Sequence, residues 1–152
     1  MAIFTFETLQ LLHRAGWHSS YTYDSKKVEY FLQVSECPIP TDVMDFIKHF
    51  GGLRILHPIT HRVVLDLTPQ IEPEFPCAVW TEFCEVAELT PQPMYPIGYA
   101  QDLDLLMDLE AKVYAHFEHF IAYRFSTGEE AIDFFCNQIG LSTSHDNLVS
   151  GD

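Results

Sequence analysis

The stretch MYPIGYAQDLDLLMDLEAKVYAHFEHFIAYRF, residues 94–125, decides the fold of this chain. From residue 102 to residue 110, leucine and methionine occupy every odd position, whereas acids occupy all but one of the even positions. A period of two predicts a half-buried β-strand, because successive side chains point to opposite sides of a sheet. With the strand patterns around it, this segment predicts four strands joined by short connections: Met94–Tyr99, Leu103–Met107, Val113–His116 and Phe120–Phe125.

The chain before this stretch begins with three helix patterns. Thr5 can cap a first helix that ends before Gly16, and a second helix follows Asp24. Thr41 can cap a third helix with apolar residues on one side. We expect Gly51 to end that helix in the left-handed conformation that glycine adopts readily.

Between and after these elements, the sequence predicts a hairpin and two more helices. Apolar runs at residues 53–56 and 61–67 predict the two strands of the hairpin. Residues 76–89, which follow several prolines, predict a middle helix. A capping box formed by Ser126 and Glu129 predicts the start of the last helix, which we expect to be amphipathic.

The order of these elements defines the predicted architecture. Helices come first, then mostly strands with short connections, and then a final helix. This order is typical of an α+β domain with a largely antiparallel sheet packed with helices. We expect a single domain over residues 1–140 and a flexible C-terminal tail over residues 141–152, which are rich in Ser, Thr, Asn and Gly.

Acidic and basic residues are distributed unevenly along the chain. There are 22 Asp and Glu against 8 Lys and Arg, giving a formal net charge of -14 and a pI near 4.7. Residues 1–62 are neutral with six acids and six bases, residues 63–111 hold ten acids and no base, and residues 112–152 add -4. Such a charge repels nucleic acids and anionic membranes, so we expect a basic protein partner.

Seven of these acids form the candidate partner-binding surface. Three repeat at a spacing of three in the predicted middle helix, and four lie at the polar positions of the alternating segment. A solvated acidic face that maintains solubility is the competing interpretation. The seven candidates are Glu82, Glu85, Glu88, Asp102, Asp104, Asp108 and Glu110.

The cysteines and the N-terminus bear on where the protein acts. Four widely spaced cysteines form no Cys-x-x-Cys pair, and we expect reduced, buried thiols. The N-terminal residues do not resemble a secretory signal, and no apolar run approaches the ~18 residues of a membrane span. We therefore expect a cytoplasmic protein.

Two histidine pairs require that a metal site be considered. His57 and His61 are four residues apart but flank a proline turn, and His116 and His119 flank Glu118. A zinc pair at that spacing needs one side of a helix, so we expect no metal. No nucleophile motif or phosphate-binding glycine loop is present, so we expect neither an enzyme nor a cofactor. A metal-dependent hydrolase built on the histidines remains an alternative hypothesis.

A series of landmarks comes in a recognisable order along residues 9–140. They are Leu11, Ala15-Gly16-Trp17, Pro40, Phe46, Phe50, Gly51-Gly52-Leu53, Asp66, Trp80, Tyr95-Pro96-Ile97-Gly98 and Val113-Tyr114. In this series the chain resembles the SUKH family of bacterial immunity proteins, specifically its third subfamily. That family usually has Asp, Gly and Arg in the turn before Val113, where this chain reads Leu109-Glu110-Ala111-Lys112.

The resemblance implies an α+β domain that binds and neutralises a polymorphic or contact-dependent toxin, commonly a nuclease domain. It implies no catalysis. Nucleases bind a polyanion and are usually basic, so an acidic inhibitor agrees with the charge distribution. A general protein-interaction or regulatory module of the same fold is the alternative, and the oligomeric state stays open.

Overall fold

The structure is a computed structural model that describes residues 4–71, 78–79, 81–118 and 120–138. For residues 78–79 and 81–83 it describes the backbone alone. Trp80, Gly140 and the predicted tail at residues 141–152 lie outside these ranges.

Three helices open the fold, as the sequence predicts. They are α1 (Phe6–Arg14), α2 (Lys26–Val34) and α3 (Thr41–Phe50). The Thr5 hydroxyl accepts a hydrogen bond from the backbone N–H of Thr8 and caps α1. These helices each place a narrow set of apolar side chains in the core, as their spacing requires.

Two predicted details of helix ends are wrong at α3. Thr41 is the first helical residue, and the capping position belongs to Pro40, which makes no side-chain cap hydrogen bond. Gly51 has a φ of -56°, whereas Gly52 has a φ of +79° and adopts the positive-φ conformation. The reversal therefore occurs one residue later than predicted, because the chain first extends at Gly51.

An antiparallel sheet forms the second layer. Within the described residues its strands are β1 (Arg54–Leu56), β2 (Val63–Asp66), β3 (Ala78–Val79), β4 (Pro93–Ala100), β5 (Leu103–Met107), β6 (Val113–Phe117) and β7 (Phe120–Phe125). Their order in the sheet is β1-β2-β4-β5-β6-β7, and β3 pairs with β4. The predicted hairpin and the four strands in residues 94–125 are all present.

The middle helix is much shorter than predicted. The segment contains the two-residue strand β3 and the helix α4 (Thr81–Val86) in place of a helix over residues 76–89. Antiparallel pairing with β4 takes Ala78 and Val79 out of any helix. Glu88 follows the helix with a φ of +60°, so the helical spacing does not extend to it.

The last helix, α5, is described over residues 128–138. Its cap lies one residue later than predicted, because the Thr127 hydroxyl accepts from the backbone N–H of Glu130. The Glu130 carboxylate in turn accepts from the backbone N–H of Ser126. The capping residues are therefore Thr127 and Glu130 in place of Ser126 and Glu129, and the Glu130 carboxylate reaches back one residue beyond the cap.

The sheet has two different sides. Its first side carries alternate residues of β5 and β6, such as Leu105 and Ala115, and packs with α1, α2, α3 and α5 in the main core. Its second side carries the residues between them, such as Leu106 and Tyr114, which pack with Ala87 just after α4 in a smaller core. Together these two cores establish an α+β fold.

The cysteines differ from the expectation at one position. Cys37 is disulfide-bonded, whereas Cys84 and Cys136 are buried free thiols. Burial and the nearby Asp133 carboxylate raise the pKa of Cys136 to about 12. The prediction of four reduced thiols is therefore wrong for Cys37.

Candidate partner-binding surface

Asp102 and Asp104 are exposed on the hairpin that joins β4 to β5. Asp102 lies in the turn, where the preceding Gln101 has a φ of +54°. Asp104 lies on the second side of the sheet between Tyr99 of β4 and His116 of β6. The Asp104 side chain is 67% exposed, so its carboxylate is accessible to a partner.

Asp108 is buried, which corrects its place in the predicted acidic row. Only 3% of the residue is exposed. One carboxylate oxygen accepts from the backbone N–H groups of Glu110 and Lys112, both at 2.9 Å, and the other accepts from the Tyr114 hydroxyl at 3.0 Å. β5 ends at Met107, so the alternation no longer determines direction at Asp108. The carboxylate organises the turn between β5 and β6.

The same turn contains a residue other than glycine in a positive-φ conformation. Ala111 has a φ of +64°, a conformation in which glycine has no steric cost. The Ala111 N–H also donates to the Asp108 carbonyl at 3.0 Å. The chain therefore forms a tight turn with alanine in the positive-φ position, stabilised by Asp108.

Glu110 is exposed in this turn and faces a different part of the molecule. It lines a cleft of about 350 Å³ between α3, the β5–β6 turn and the start of α5. The Lys112 ammonium lies 3.3 Å from the Glu110 carboxylate, but both side chains are more than half exposed, so this ion pair contributes little. The acids that line the cleft are Asp42, Asp45, Glu110 and Glu129.

The middle segment supplies exposed acids on the second side of the sheet. Glu85 lies on α4 and Glu88 lies in the turn after it, and both are exposed. Glu82 belongs to α4, but its side chain is outside the described set. Because α4 ends at Val86, the three predicted glutamates do not form one helical stripe.

These positions divide the predicted surface into two regions. Asp104 shares the second side of the sheet with Glu85 and Glu88, while Glu110 lies beyond the far end of β5. The length of β5 alone separates its two ends by roughly 14 Å. We call Glu85, Glu88, Asp102 and Asp104 the sheet-side acids, and the acids of the cleft the cleft acids.

A polar row crosses the second side of the sheet and was not predicted from sequence. Cross-strand pairing places Arg54, Asp66, Tyr99, Asp104 and His116 on successive strands. The Tyr99 hydroxyl donates to the Asp66 carboxylate at 3.2 Å, and the Arg54 Nε lies 3.6 Å from the same oxygen. The Asp66 charge and this hydrogen bond raise the pKa of Tyr99. Only strand register reveals this row, because its members are distant in sequence.

His116 is the buried end of that row. The residue is 6% exposed, and its Nε2 lies 4.0 Å from the Asp104 carboxylate. Burial lowers the pKa of His116, and the Asp104 charge offsets part of that shift. The neutral imidazole is therefore favoured beside an exposed acid.

The histidine-based metal hypothesis finds no ligand set in the described part of the chain. Among those residues, no group of three or more His, Cys, Asp or Glu is arranged to hold a metal ion. His119 lies outside the described residues. In the same part of the chain, no helix is both long and apolar enough to cross a membrane.

The fold and these surfaces define a small α+β domain whose helices pack mainly on one side of an antiparallel sheet. The model of the SUKH-3 immunity protein family matches residues 4–138, and the chain belongs to this family. No curated protein and no solved structure matches the chain.

Proposed function

We propose that this protein binds and neutralises a cognate toxin domain, and that this domain is a basic nuclease. The observation that carries the proposal is membership in the SUKH-3 immunity protein family over residues 4–138. A nuclease must hold a polyanion and therefore presents a basic surface. A chain with a net charge of -14 is complementary to such a surface. The protein acts by binding and catalyses no reaction.

We assign first contact with the toxin to the sheet-side acids. Asp104 is 67% exposed, and residues 63–111 contain no Lys or Arg. Arg124, which donates to the Ala87 carbonyl beside Glu88, offsets part of the charge of this region. Complementary charges accelerate encounter and disfavour wrong partners. Glu110 and the other cleft acids form a second region that the toxin can reach. Asp108 supports the surface by fixing the turn, and its buried carboxylate makes no contact with the partner.

A pull-down from the source cells tests the function itself. The tagged protein is washed at low and then at moderate salt, and the bound proteins are identified by mass spectrometry. Salt removes diffuse charge attraction but leaves a packed interface. We expect one basic toxin domain to remain at near-equal stoichiometry. Retention of a cellular protein that is not a toxin would contradict the proposal and favour a regulatory module.

Charge reversal tests the assignment of the surface. We expect the Asp102→Lys, Asp104→Lys double variant to bind the retained toxin at least about tenfold more weakly, mainly through slower association. The control is Glu7→Lys, Glu36→Lys, which makes the same charge change at exposed acids of the helical layer. Its affinity should stay within about threefold of the parent. Equal losses of affinity in both variants would show that only the net charge of the protein affects binding. That result would contradict the assignment of the binding surface but not the binding of the toxin.

The cleft acids are tested separately. Glu110→Lys changes the exposed residue at the cleft and leaves the Asp108 carboxylate in place. If the toxin enters this cleft, Glu110→Lys lowers the affinity for the toxin. The contacts of the toxin with the sheet-side acids are unchanged in this variant. Measuring association and dissociation rates of both variants by surface plasmon resonance distinguishes the two regions.

A further inference from the structure

A second cleft, of about 200 Å³, lies between the end of α1 and the hairpin of β1 and β2. Arg14 comes from the last turn of α1, Arg54 begins β1, and His57 and His61 come from the turn that follows. Leu11 and Leu56 add apolar surface to its walls. This cleft belongs to neither group of acids described above.

The composition of this cleft is opposite to that of the whole chain. Two of the four arginines and two of the eight histidines line it, and no carboxylate does. Asp66 is the nearby acid, with its carboxylate 3.6 Å from the Arg54 Nε, but it is buried and also accepts from Thr68 and Tyr99. The Arg54 side chain remains 62% exposed. Two arginine side chains therefore line this cleft on a protein with a net charge of -14.

The turn that presents the two histidines is held by its own hydrogen bonds. The Nδ1 of His57 accepts from the backbone N–H groups of Ile59 and Thr60, both at 3.1 Å. In the neutral ring this places the proton on Nε2, which is then a donor. His61 has a φ of +60°, and its N–H donates to the His57 carbonyl at 3.0 Å. The histidines are therefore presented by an ordered turn.

These features disfavour a metal ion and favour an anion. The Nδ1 of His57 is already used as an acceptor, and two guanidinium groups repel a bound cation. Guanidinium groups instead pair well with phosphate, often through two parallel hydrogen bonds. We propose that this cleft binds the phosphate group of a small phosphate monoester, with Leu11 and Leu56 against its organic part. The net charge of the chain excludes a long polyanion such as RNA.

Nuclear magnetic resonance titration with inorganic phosphate tests the site without any toxin, so its outcome is independent of the proposed function. The side-chain ¹⁵N signals of arginine and histidine are followed at constant ionic strength. We expect saturable shifts at Arg14, Arg54, His57 and His61 with a Kd of about 1 mM or tighter. Absence of shifts at about 10 mM phosphate would overturn the site.

Two variants establish that the cleft, and not general charge, binds phosphate. Arg14→Gln removes a lining residue that is exposed at a helix end, and we expect at least about tenfold weaker binding. Arg62→Gln is the control, because Arg62 follows the same turn but does not line the cleft. Its Kd should stay within about twofold of the parent. Equal weakening in both variants would overturn the proposal.

Acetate distinguishes a phosphate site from a general carboxylate site. We expect acetate to bind more weakly than phosphate, because it carries one charge and two acceptor oxygens. We expect adenosine monophosphate to bind more tightly than inorganic phosphate, because Leu11 and Leu56 contact its organic part, and equal affinity would contradict that contact. Tighter binding of acetate than of phosphate would contradict the assigned ligand class and would indicate an acidic side chain of a protein.

Discussion

Asp108 illustrates how a buried acid and an exposed acid can occupy similar positions in a sequence pattern. Its carboxylate accepts three hydrogen bonds, two from backbone N–H groups and one from Tyr114. Burial and the Asp108 carboxylate raise the pKa of Tyr114 to about 12, which keeps the hydroxyl protonated as the donor. Asp104, four residues earlier, faces solvent on β5. The same residue type thus serves the turn in one case and the surface in the other.

Replacement of Asp108 tests its role in the turn. We expect Asp108→Ala to lower the free energy of unfolding by about 3 kcal/mol, because it leaves three donors without their acceptor. Asp108→Asn retains an acceptor and should cost less. The exposed Asp104→Asn is the control and should change the free energy by less than about 0.5 kcal/mol. Urea unfolding measures all three, and a cost for Asp108→Ala equal to that of the control would contradict the role.

His116 makes stability depend on pH near neutrality. The pKa of His116 is lowered in the folded protein from an ordinary value of about 6.5. As the pH falls, this histidine therefore takes up a proton at a higher pH in the unfolded chain than in the folded protein. Stability from His116 is present above pH 6.5 and is lost as pH falls from about 6.5 to the folded pKa. We expect His116→Gln to flatten this decline, measured by urea unfolding from pH 7.5 to 5.5. A decline in His116→Gln as steep as that of the parent would contradict this source.

At the scale of elements, the strands were predictable where the pattern was local. β5 and β7 have the predicted bounds, and β4 and β6 each extend slightly beyond theirs. Period-two alternation and short connections leave few other possibilities for these segments. The predicted bounds of the middle helix were wrong because Ala78 and Val79 pair with β4. The spacing of residues within 76–89 cannot reveal that pairing.

The surfaces were predictable only in part for the same physical reason. Alternation identifies Asp104 as outward-facing, but it cannot show that β5 ends before Asp108. The clefts combine elements that are distant along the chain, such as α1 with the hairpin that follows α3. Counting acids and bases along the sequence identifies the acid-rich residues 63–111. It does not identify the small basic cleft, because the residues of that cleft are brought together only by the fold. The partner itself stays a prediction.

Gly98 tests the close approach of β4 to the end of β2. The pairing of β4 with β5 shifts register between Pro96 and Gly98, and Gly98 has a φ of +152°. An added Cβ would collide with the backbone carbonyl of Asp66. We expect Gly98→Ala to lower the free energy of unfolding by about 2 kcal/mol or more, measured by urea unfolding.

Gly16 is the matched control for this substitution. Its φ is +101°, but no atom lies within 4 Å of an added Cβ. Gly16→Ala therefore reports the conformational cost alone, about 1–2 kcal/mol. Gly98→Ala should cost more than this, and an equal cost would show that the strands separate without strain.

At the scale of the whole molecule, the net charge of -14 opposes compaction. Raising the ionic strength from about 0.01 M to about 0.15 M shortens the Debye length from about 30 Å to about 8 Å. We therefore expect the Tm to rise over this range, measured by thermal unfolding in sodium chloride. Because charge repulsion has no ion specificity, potassium chloride should have the same effect. A Tm that falls or stays constant would contradict significant repulsion.

Because the sheet has two different sides, neighbouring residues of one strand differ in the substitutions that they tolerate. Leu105 lies in the main core, so its replacement disturbs the packing of four helices. Asp104, its neighbour along β5, faces solvent, and the packed interior places little constraint on it. Recognition can therefore diverge by single substitutions at alternate residues of one strand while the scaffold is inherited intact. For the proposed toxin-binding role, this arrangement allows the binding surface to change without loss of the fold.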